Sequence, residues 1–136
     1  MLSDAIVAVI TNGDKILMIE RAPRGLYVGF WAPVSGKVEL GESQESAVAR
    51  ESLEEVGLIV RPVRQVWENV STSGEYRLYW WLAEYVGGEL KVDAREAASA
   101  RWCTVEDISS LKIFEGDREF YQAVLPSLVR KQDALG

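Results

Sequence analysis

The chain contains no histidine and only one cysteine, Cys103, among its 136 residues. The absence of histidine excludes histidine-based acid–base catalysis, Ser–His nucleophile systems and the usual zinc sites. A single cysteine excludes an internal disulfide and fits the reducing conditions of the cytoplasm, which is the location we expect. Any chemistry must therefore come from carboxylates, lysine, arginine, tyrosine, serine or a bound metal.

Long apolar runs and excess positive charge are also missing. No apolar stretch approaches the roughly 20 residues of a membrane-spanning helix, and the N-terminus lacks the basic start and cleavage site of a signal peptide. We therefore expect no membrane partner. The net charge of −6 argues against DNA or RNA as the natural partner, whereas a small phosphorylated molecule is compatible because a bound metal would invert the field locally.

The composition is that of an ordinary globular domain, with 48% hydrophobic and 26% charged residues. A chain of this length buries one sizeable core, so we expect a single domain over residues 1–136. Hydrophobic patterns predict strands, in chain order, over residues 4–11, 15–20, 33–38, 58–70, 75–86 and 98–105. A long loop is predicted over 21–33, and helices are predicted over 44–56, after 104 and over 117–124. Strands interleaved with helices predict an α/β domain.

Residues 36–58, with the sequence GKVELGESQESAVARESLEEVGL, predict a loop followed by an amphipathic helix. Apart from one serine, one face of this helix is small or apolar: Val48, Ala49, Ser52, Leu53 and Val56. On the other side, Glu51, Glu54 and Glu55 lie at spacings of three and four. Each close pair of like charges costs about 0.2–0.5 kcal/mol unless a cation lies between them. Sites built from oxygen alone suit Mg²⁺ or Mn²⁺; the alternative is a solvated acidic face.

The order of residues in this stretch looks like the signature of the Nudix hydrolase family. Eight positions match over the 23 residues, in the family's spacing: Gly36, Glu42, Arg50, Glu51, Glu54, Glu55, Gly57 and Leu58. The sequence departs from the family pattern at Ser52, where an aliphatic residue is usual. It departs again just upstream, where Val34-Ser35-Gly36 replaces the common Pro-Gly-Gly and Pro33 comes one place early.

The resemblance implies a fold and a metal site. The fold would be an α/β/α sandwich with a central mixed β-sheet, and the cofactor would be Mg²⁺, with Mn²⁺ as a substitute. The metal ligands would be Glu51, Glu54 and Glu55, joined by the backbone at Ser35 and Gly36. A late acidic residue often completes such a site, and the best-matching position here is Glu96, whose alternative is an ordinary exposed loop residue.

The resemblance also implies catalytic roles. Glu51, or a further carboxylate, would be the general base, and Glu54 would act with it at the metal. Arg50 would orient the Glu51 carboxylate; its alternative is an i, i+4 ion pair with Glu54. Glu42 is left open between a metal ligand and a carboxylate that suits the N-terminal end of the helix dipole.

Substrate contacts are less specific in the sequence. The candidates for binding phosphate are Arg21, Arg24 and Lys37, each of which is otherwise a surface charge. Aromatic residues that could stack on a base are Tyr27, Phe30, Trp31, Tyr79 and Trp81, and their alternative is the core.

The expected reaction is Mg²⁺-dependent hydrolysis of a pyrophosphate bond in a nucleoside diphosphate linked to another moiety. Features typical of the family's coenzyme A and ADP-ribose subtypes are missing, and one tyrosine, Tyr76, is too weak a sign of the dinucleoside polyphosphate subtype. By elimination we expect a nucleoside triphosphate, or else a nucleoside diphosphate sugar. Two rivals are a non-catalytic nucleotide-sensing module and an interaction protein with a solvated acidic helix. Small domains of this type often pair, so a homodimer is left open.

Overall fold

The computed structural model describes residues 1–22 and 27–129. Their regular elements, in chain order, are β1 (Ser3–Asn12), β2 (Lys15–Arg21), β3 (Trp31–Ala32), β4 (Val34–Lys37), α1 (Gln44–Val56), β5 (Leu58–Val70), β6 (Tyr76–Gly88), β7 (Ala97–Cys103) and α2 (Val105–Ile108). A C-terminal helical segment follows over 115–127, built from the short turns Glu115–Asp117, Phe120–Val124 and Leu125–Ser127.

The strands of the described residues form one mixed sheet in the order β3-β2-β1-β6-β5, with β4 also on β1 and β7 also on β2. Strand β1 runs parallel to β6 and antiparallel to β2 and β4. Residues 5–10 of β1 are all buried, as expected for a central strand covered on both faces. This confirms the strand predicted from the continuous apolar run.

Helices cover both faces of the sheet. Helix α1 packs on one face with the even-numbered residues of β1, including Ile6. Helix α2 and the C-terminal helical segment pack on the opposite face, where Phe120 lies against Trp80 with ring centroids 4.5 Å apart. The predicted α/β/α sandwich with a central mixed sheet is confirmed.

Helix α1 begins and ends where its capping residues predict. The Ser43 hydroxyl accepts a hydrogen bond from the backbone N–H of Ser46 at 3.1 Å, as an N-cap does. Gly57 follows the last helical residue with φ of 72°, a conformation that favours glycine.

The predicted inner face of α1 is wrong at two places. Leu53 is 56% exposed, whereas Glu55 is only 8% exposed and Ala47 is fully buried. The helix is therefore rotated so that Ala47, rather than Leu53, faces the sheet, and one glutamate is carried inward. Ser52 does lie on the inner face, where its hydroxyl donates to the Val48 carbonyl at 2.7 Å, so the hydroxyl is satisfied within the helix.

Two other boundaries differ from the prediction. The loop expected over 21–33 is shorter, because Arg21 still belongs to β2 and Trp31–Ala32 form β3. The helix predicted over 117–124 has a wide π-helical turn, Phe120–Val124, in place of regular α-helix. The wide turn brings Phe120, Tyr121 and Leu125 into the same core. Pro126 then provides no backbone N–H to continue the helix.

Replacing Gly57 with alanine should lower the free energy of unfolding by about 2–3 kcal/mol. A Cβ there would lie 2.6 Å from the Glu89 carbonyl oxygen, and the residue has φ of 72°. The matched control is Gly74→Ala, which has φ of 78° but no atom within 4 Å of the added Cβ, and should cost only about 1 kcal/mol. Urea denaturation of both variants measures the difference, and equal losses would contradict the close approach.

Candidate active site

Arg50 joins helix α1 to the loop that precedes it. Its Nε donates to Glu42 Oε2 at 2.7 Å, and its Nη2 donates to Glu42 Oε1 and to the Lys37 carbonyl, both at 3.0 Å. Its Nη1 donates to Glu51 Oε1 at 2.8 Å and to Glu54 Oε2 at 3.2 Å. The guanidinium group thus orients Glu51 and makes the i, i+4 pair at the same time, so the two interpretations of Arg50 are compatible.

Glu42 has a structural position. Arg50 binds both of its carboxylate oxygens, and the backbone N–H of Glu39 donates to Oε1 at 3.0 Å. These contacts lower the pKa of Glu42 to about 2, with the Arg50 hydrogen bond as the largest cause. Of the two roles left open for Glu42, the geometry favours the structural one, because its oxygens are already engaged.

Glu51 lies against the backbone of β4. A Cβ placed on Gly36 would overlap the Glu51 carboxylate, so glycine is needed at this position for the carboxylate to approach. Burial raises the pKa of Glu51, and the nearby Glu54 and Glu96 add to the shift, whereas Arg50 opposes it. Gly36 and Glu51, two of the eight positions that match the family signature, are therefore in contact in the folded chain.

Glu55 is a buried carboxylate and not part of a solvated face. Burial raises its pKa to about 8, with further contributions from Glu51 and Glu96, while Arg21 lowers it. Among the hydrogen bonds of the described residues, none involves the Glu55 side chain. Glu54 differs, with a side chain 61% exposed and in contact with Arg50.

Glu96 is brought to this cluster by the loop that follows β6. The backbone N–H of Lys91 donates to the Val56 carbonyl at 2.9 Å, and that of Asp93 donates to the Glu55 carbonyl at 3.0 Å. The loop therefore lies along the last turn of α1. Glu96 comes close enough to raise the pKa of both Glu51 and Glu55, although it lies 40 positions after Val56, the last residue of α1.

The donor chemistry fits a hard divalent cation. Glu51, Glu55 and Glu96 provide only oxygen donors, and their mutual repulsion is the kind that a cation relieves. In the described parts of the chain, however, no three acidic side chains already converge to enclose an ion. Arg50 holds one oxygen of Glu51 and one of Glu54, which leaves the second oxygen of each carboxylate for a cation.

A cavity of about 570 Å³ opens beside the acidic cluster. Near the cluster its lining includes Ser35, Gly36, Lys37, Arg21 and Glu96. The remaining wall includes four aromatic side chains, Tyr27, Tyr76, Trp80 and Phe114, among small, aliphatic and polar residues. Two of the three predicted phosphate-binding residues thus share one cavity with Glu96, and the third, Arg24, lies outside the described residues.

Other aromatic candidates belong elsewhere. Tyr79 and Trp81 pack against the core beneath α1, and the Trp81 indole donates to Gln44 at 2.8 Å. They therefore do not line the cavity, and the structure favours the core alternative for both residues. Phe30 stacks on Phe114 with ring centroids 4.8 Å apart.

Two polar residues of the cavity region were not identified from the sequence. Asp117 lines the cavity and is only 7% exposed, and Asn69 donates to it at 3.1 Å. Burial raises the pKa of Asp117 to about 6, and the Asn69 hydrogen bond opposes this shift. Local patterns gave no distinctive signal, because an acidic residue at the start of a helix is ordinary.

Comparison with protein families matches residues 1–124 to the NUDIX domain. This chain belongs to the Nudix family. The NAD-capped RNA hydrolase NudC of Stutzerimonas stutzeri (strain A1501) is 34% identical over 110 residues, which are 81% of this chain and 39% of that protein. A Pseudomonas putida (strain F1) protein of the same name is 33% identical with the same coverage. The aligned part thus spans about two fifths of the length of these relatives.

Solved structures show the same fold. The MutT protein from Methanosarcina mazei Go1 has a TM-score of 0.75 at 24% identity, covering 89% of this chain and 91% of that one. An ADP-ribose pyrophosphatase from Streptococcus suis has a TM-score of 0.73 at 22% identity, covering 98% and 96%. The family match thus makes this chain a member of the Nudix hydrolases, a family whose members generally use divalent metal ions.

Within residues 1–22 and 27–129, no helix has the length and apolar character needed to cross a bilayer.

Replacing Glu55 with glutamine should change how stability depends on pH in metal-free protein. The folded pKa of about 8 exceeds the ordinary value of 4.5, so between these values the folded state binds more protons than the unfolded state. The free energy of unfolding must then fall as pH rises through this window. Glu55→Gln should remove most of that loss, on the order of 2 kcal/mol.

The measurement is urea denaturation in EDTA at about pH 5 and about pH 8. Glu45→Gln is the matched control, because Glu45 lies exposed in the first turn of the same helix. If the free energy of unfolding of Glu55→Gln depends on pH as that of the wild type does, the Glu55 carboxylate is not the group with the raised pKa.

Proposed function

We propose that the protein hydrolyses a pyrophosphate bond in a nucleoside diphosphate linked to another moiety, with Mg²⁺ as cofactor and Mn²⁺ as a substitute. The favoured substrate is a nucleoside triphosphate. The observation that carries this proposal is the shared position of the acidic cluster and the cavity: Glu96 belongs to both, and Lys37 and Arg21 line the same cavity. A phosphate chain bound there would meet cationic groups on one side and carboxylates on the other.

The proposed metal ligands are the carboxylates of Glu51, Glu54, Glu55 and Glu96, with the backbone at Ser35 and Gly36. When bound, a divalent cation would screen the phosphate charge and lower the pKa of a coordinated water. Burial that raises the pKa of Glu55 to about 8 supports this assignment, because a cation would remove the cost of keeping that group ionised.

Glu51 is the proposed general base. Its raised pKa favours accepting a proton from an attacking water near neutral pH. Arg50 is the proposed positioning residue, since its hydrogen bond to Oε1 at 2.8 Å restricts the carboxylate to one orientation. Because Gly36 has no side chain, the carboxylate reaches the edge of β4 beside the cavity.

Lys37 and Arg21 are the proposed phosphate contacts. The Lys37 ammonium lies 5.6 Å from the centre of the Tyr76 ring, so its chain extends along the cavity wall. Arg21 is close enough to Glu55 to lower its pKa, and would face phosphate oxygens near the acidic cluster. Arg24 remains a sequence-based candidate, as do a homodimer and a cytoplasmic location.

A nucleoside diphosphate sugar is the alternative substrate, since the cavity of about 570 Å³ has room for a second sugar. A non-catalytic nucleotide-sensing module is disfavoured because Glu51, Glu54 and Glu55 are all present. The relatives named as NAD-capped RNA hydrolases make NAD a useful member of any substrate panel.

Glu54→Gln should reduce turnover by at least roughly a hundredfold while leaving the fold intact. The variant loses both the charge that pairs with Arg50 at 3.2 Å and the repulsion of neighbouring carboxylates, so its stability should change by only a few tenths of a kcal/mol. Released phosphate or pyrophosphate is measured with nucleoside triphosphates, nucleoside diphosphate sugars, ADP-ribose and NAD, with and without Mg²⁺.

Glu45→Gln on the same helix is the control and should keep the wild-type rate. Wild-type activity in Glu54→Gln would show that Glu54 is not a metal ligand. Absence of Mg²⁺-dependent release from every compound would count against the proposed reaction itself, and calorimetric titration with Mg²⁺ would then test whether the carboxylates bind the ion.

A further inference from the structure

Gly88, the last residue of β6, packs directly against the backbone that follows helix α1. It pairs with Leu58 at the start of β5 and has φ of 81°. A Cβ on Gly88 would overlap the Gly57 carbonyl oxygen and would lie 3.1 Å from the Ile59 nitrogen, and both are backbone atoms. In the same contact, a Cβ on Gly57 would lie 2.6 Å from the Glu89 carbonyl oxygen. Glycine is therefore required at position 88 by its conformation and by its lack of a side chain.

The close approach continues into the loop that connects β6 to β7. The backbone N–H of Lys91 donates to the Val56 carbonyl at 2.9 Å, and that of Asp93 donates to the Glu55 carbonyl at 3.0 Å. Carbonyl groups in the last turn of a helix have no partner within the helix. The loop supplies that partner at two successive residues of α1, so backbone hydrogen bonds hold it against the helix.

The loop then turns and presents Glu96. The Asp93 carbonyl accepts hydrogen bonds from the N–H groups of Glu96 at 2.9 Å and Ala97 at 3.0 Å, and the Asp93 carboxylate accepts one from the N–H of Arg95 at 3.0 Å. This turn begins at a residue bound to α1 and ends where β7 begins, and Glu96 lines the cavity beside Gly36. Backbone contacts therefore bring Glu96 to the glutamates of α1, since carboxylates by themselves repel one another.

We propose that Gly88 is a positioning residue for the metal site, because it lets the end of β6 approach the end of α1 and so sets the separation between Glu96 and the glutamates of the helix. This inference rests on the proposed function, since it assumes that Glu96 and those glutamates bind one cation together. A side chain at position 88 would push the loop away from α1, and Glu96 would move with the loop. The affinity for a divalent cation would then fall although every ligand is still present.

The loop is the part of this contact that yields most easily. Strands β5 and β6 are paired along their length, from Leu58 with Gly88 to Val70 with Arg77, and Leu58 is buried in the core beneath α1. The loop over 89–96, by contrast, is exposed at most positions. An added Cβ should therefore displace the loop before it separates the strands, and the effect should be concentrated at Glu96.

The test is the affinity of the protein for Mg²⁺ and Mn²⁺, measured by calorimetric titration without nucleotide. Gly88→Ala should weaken the binding of both ions roughly ten- to a hundredfold, as changes to residues that orient a metal ligand do. Gly74→Ala is the matched control, because Gly74 has φ of 78° but no atom within 4 Å of the added Cβ, and it should keep the wild-type affinity. Wild-type affinity in a folded Gly88→Ala protein would overturn the inference.

A double-mutant cycle determines whether Gly88 acts through Glu96. Once Glu96→Gln has removed the carboxylate, adding Gly88→Ala should cause no further loss of cation affinity, because the ligand to be positioned is gone. Losses that multiply would contradict the inference, since the glycine would then act on the rest of the site.

Hydrogen exchange follows the loop itself in metal-free protein. In EDTA, the amides of Lys91 and Asp93 should exchange faster in Gly88→Ala than in the wild type, because their hydrogen bonds to α1 open more often. Gly74→Ala should leave both rates unchanged. Wild-type exchange at these two amides in Gly88→Ala would show that the loop has not moved, and would count against the proposal.

A second variant keeps the inference testable if Gly88→Ala does not fold, which thermal unfolding monitored by tryptophan fluorescence would reveal. Insertion of one glycine between Glu89 and Leu90 keeps the contact of Gly88 but lengthens the loop, so Glu96 is no longer held at a fixed separation. Cation affinity should fall in this variant too. Wild-type affinity after the insertion would show that the loop does not position Glu96.

The two proposals fail in different ways. If Gly88→Ala weakens cation binding but no compound of the substrate panel is hydrolysed, the positioning role stands and the proposed reaction is wrong. If nucleotides are hydrolysed and Gly88→Ala binds the ions as the wild type does, the reaction stands and the role of Gly88 is wrong. If the wild type binds neither ion, both proposals are wrong.

Discussion

The contacts of one guanidinium group organise the whole site. Arg50 donates to two carboxylates besides its i, i+4 partner and to the Lys37 carbonyl, so it attaches helix α1 to the end of β4. Without that attachment, neither the close approach of Glu51 to Gly36 nor the position of the loop between β4 and α1 would be determined. The same guanidinium group also offsets part of the negative charge of the glutamates on helix α1.

Arg50 does not balance the charge of every carboxylate in the site, and this imbalance is relevant to function. Glu55 is buried without a hydrogen-bond partner among the described residues, and its pKa is raised to about 8 by burial, Glu51 and Glu96. A fold selected for stability alone would place a neutral residue there. Strain of this electrostatic kind is typical of sites that bind a cation, since the ion lowers the energy of the arrangement when it binds.

The cavity combines this acidic edge with a separate polar end. Strand pairing puts Lys37 and Asn69 at opposite ends of one row, and the C-terminal helical segment places Asp117 over the far end. The sheet thus carries two chemically different ends on one face. Lys37 and Asn69 lie on regular strands, which hold side chains in a more constant geometry than loops do.

The sequence by itself determined the reactive helix, its caps at Ser43 and Gly57, the family and most strands, because these depend on spacing along the chain. Spacing did not decide which side of α1 is buried: Leu53 and Glu55 exchanged the expected environments, since burial depends on what packs against the helix. The approach of Glu96 to Glu55, and of Asn69 to Asp117, was decided only by the tertiary structure. Residues about 40 or more positions apart meet through strand pairing and loop docking, and no local pattern encodes that proximity.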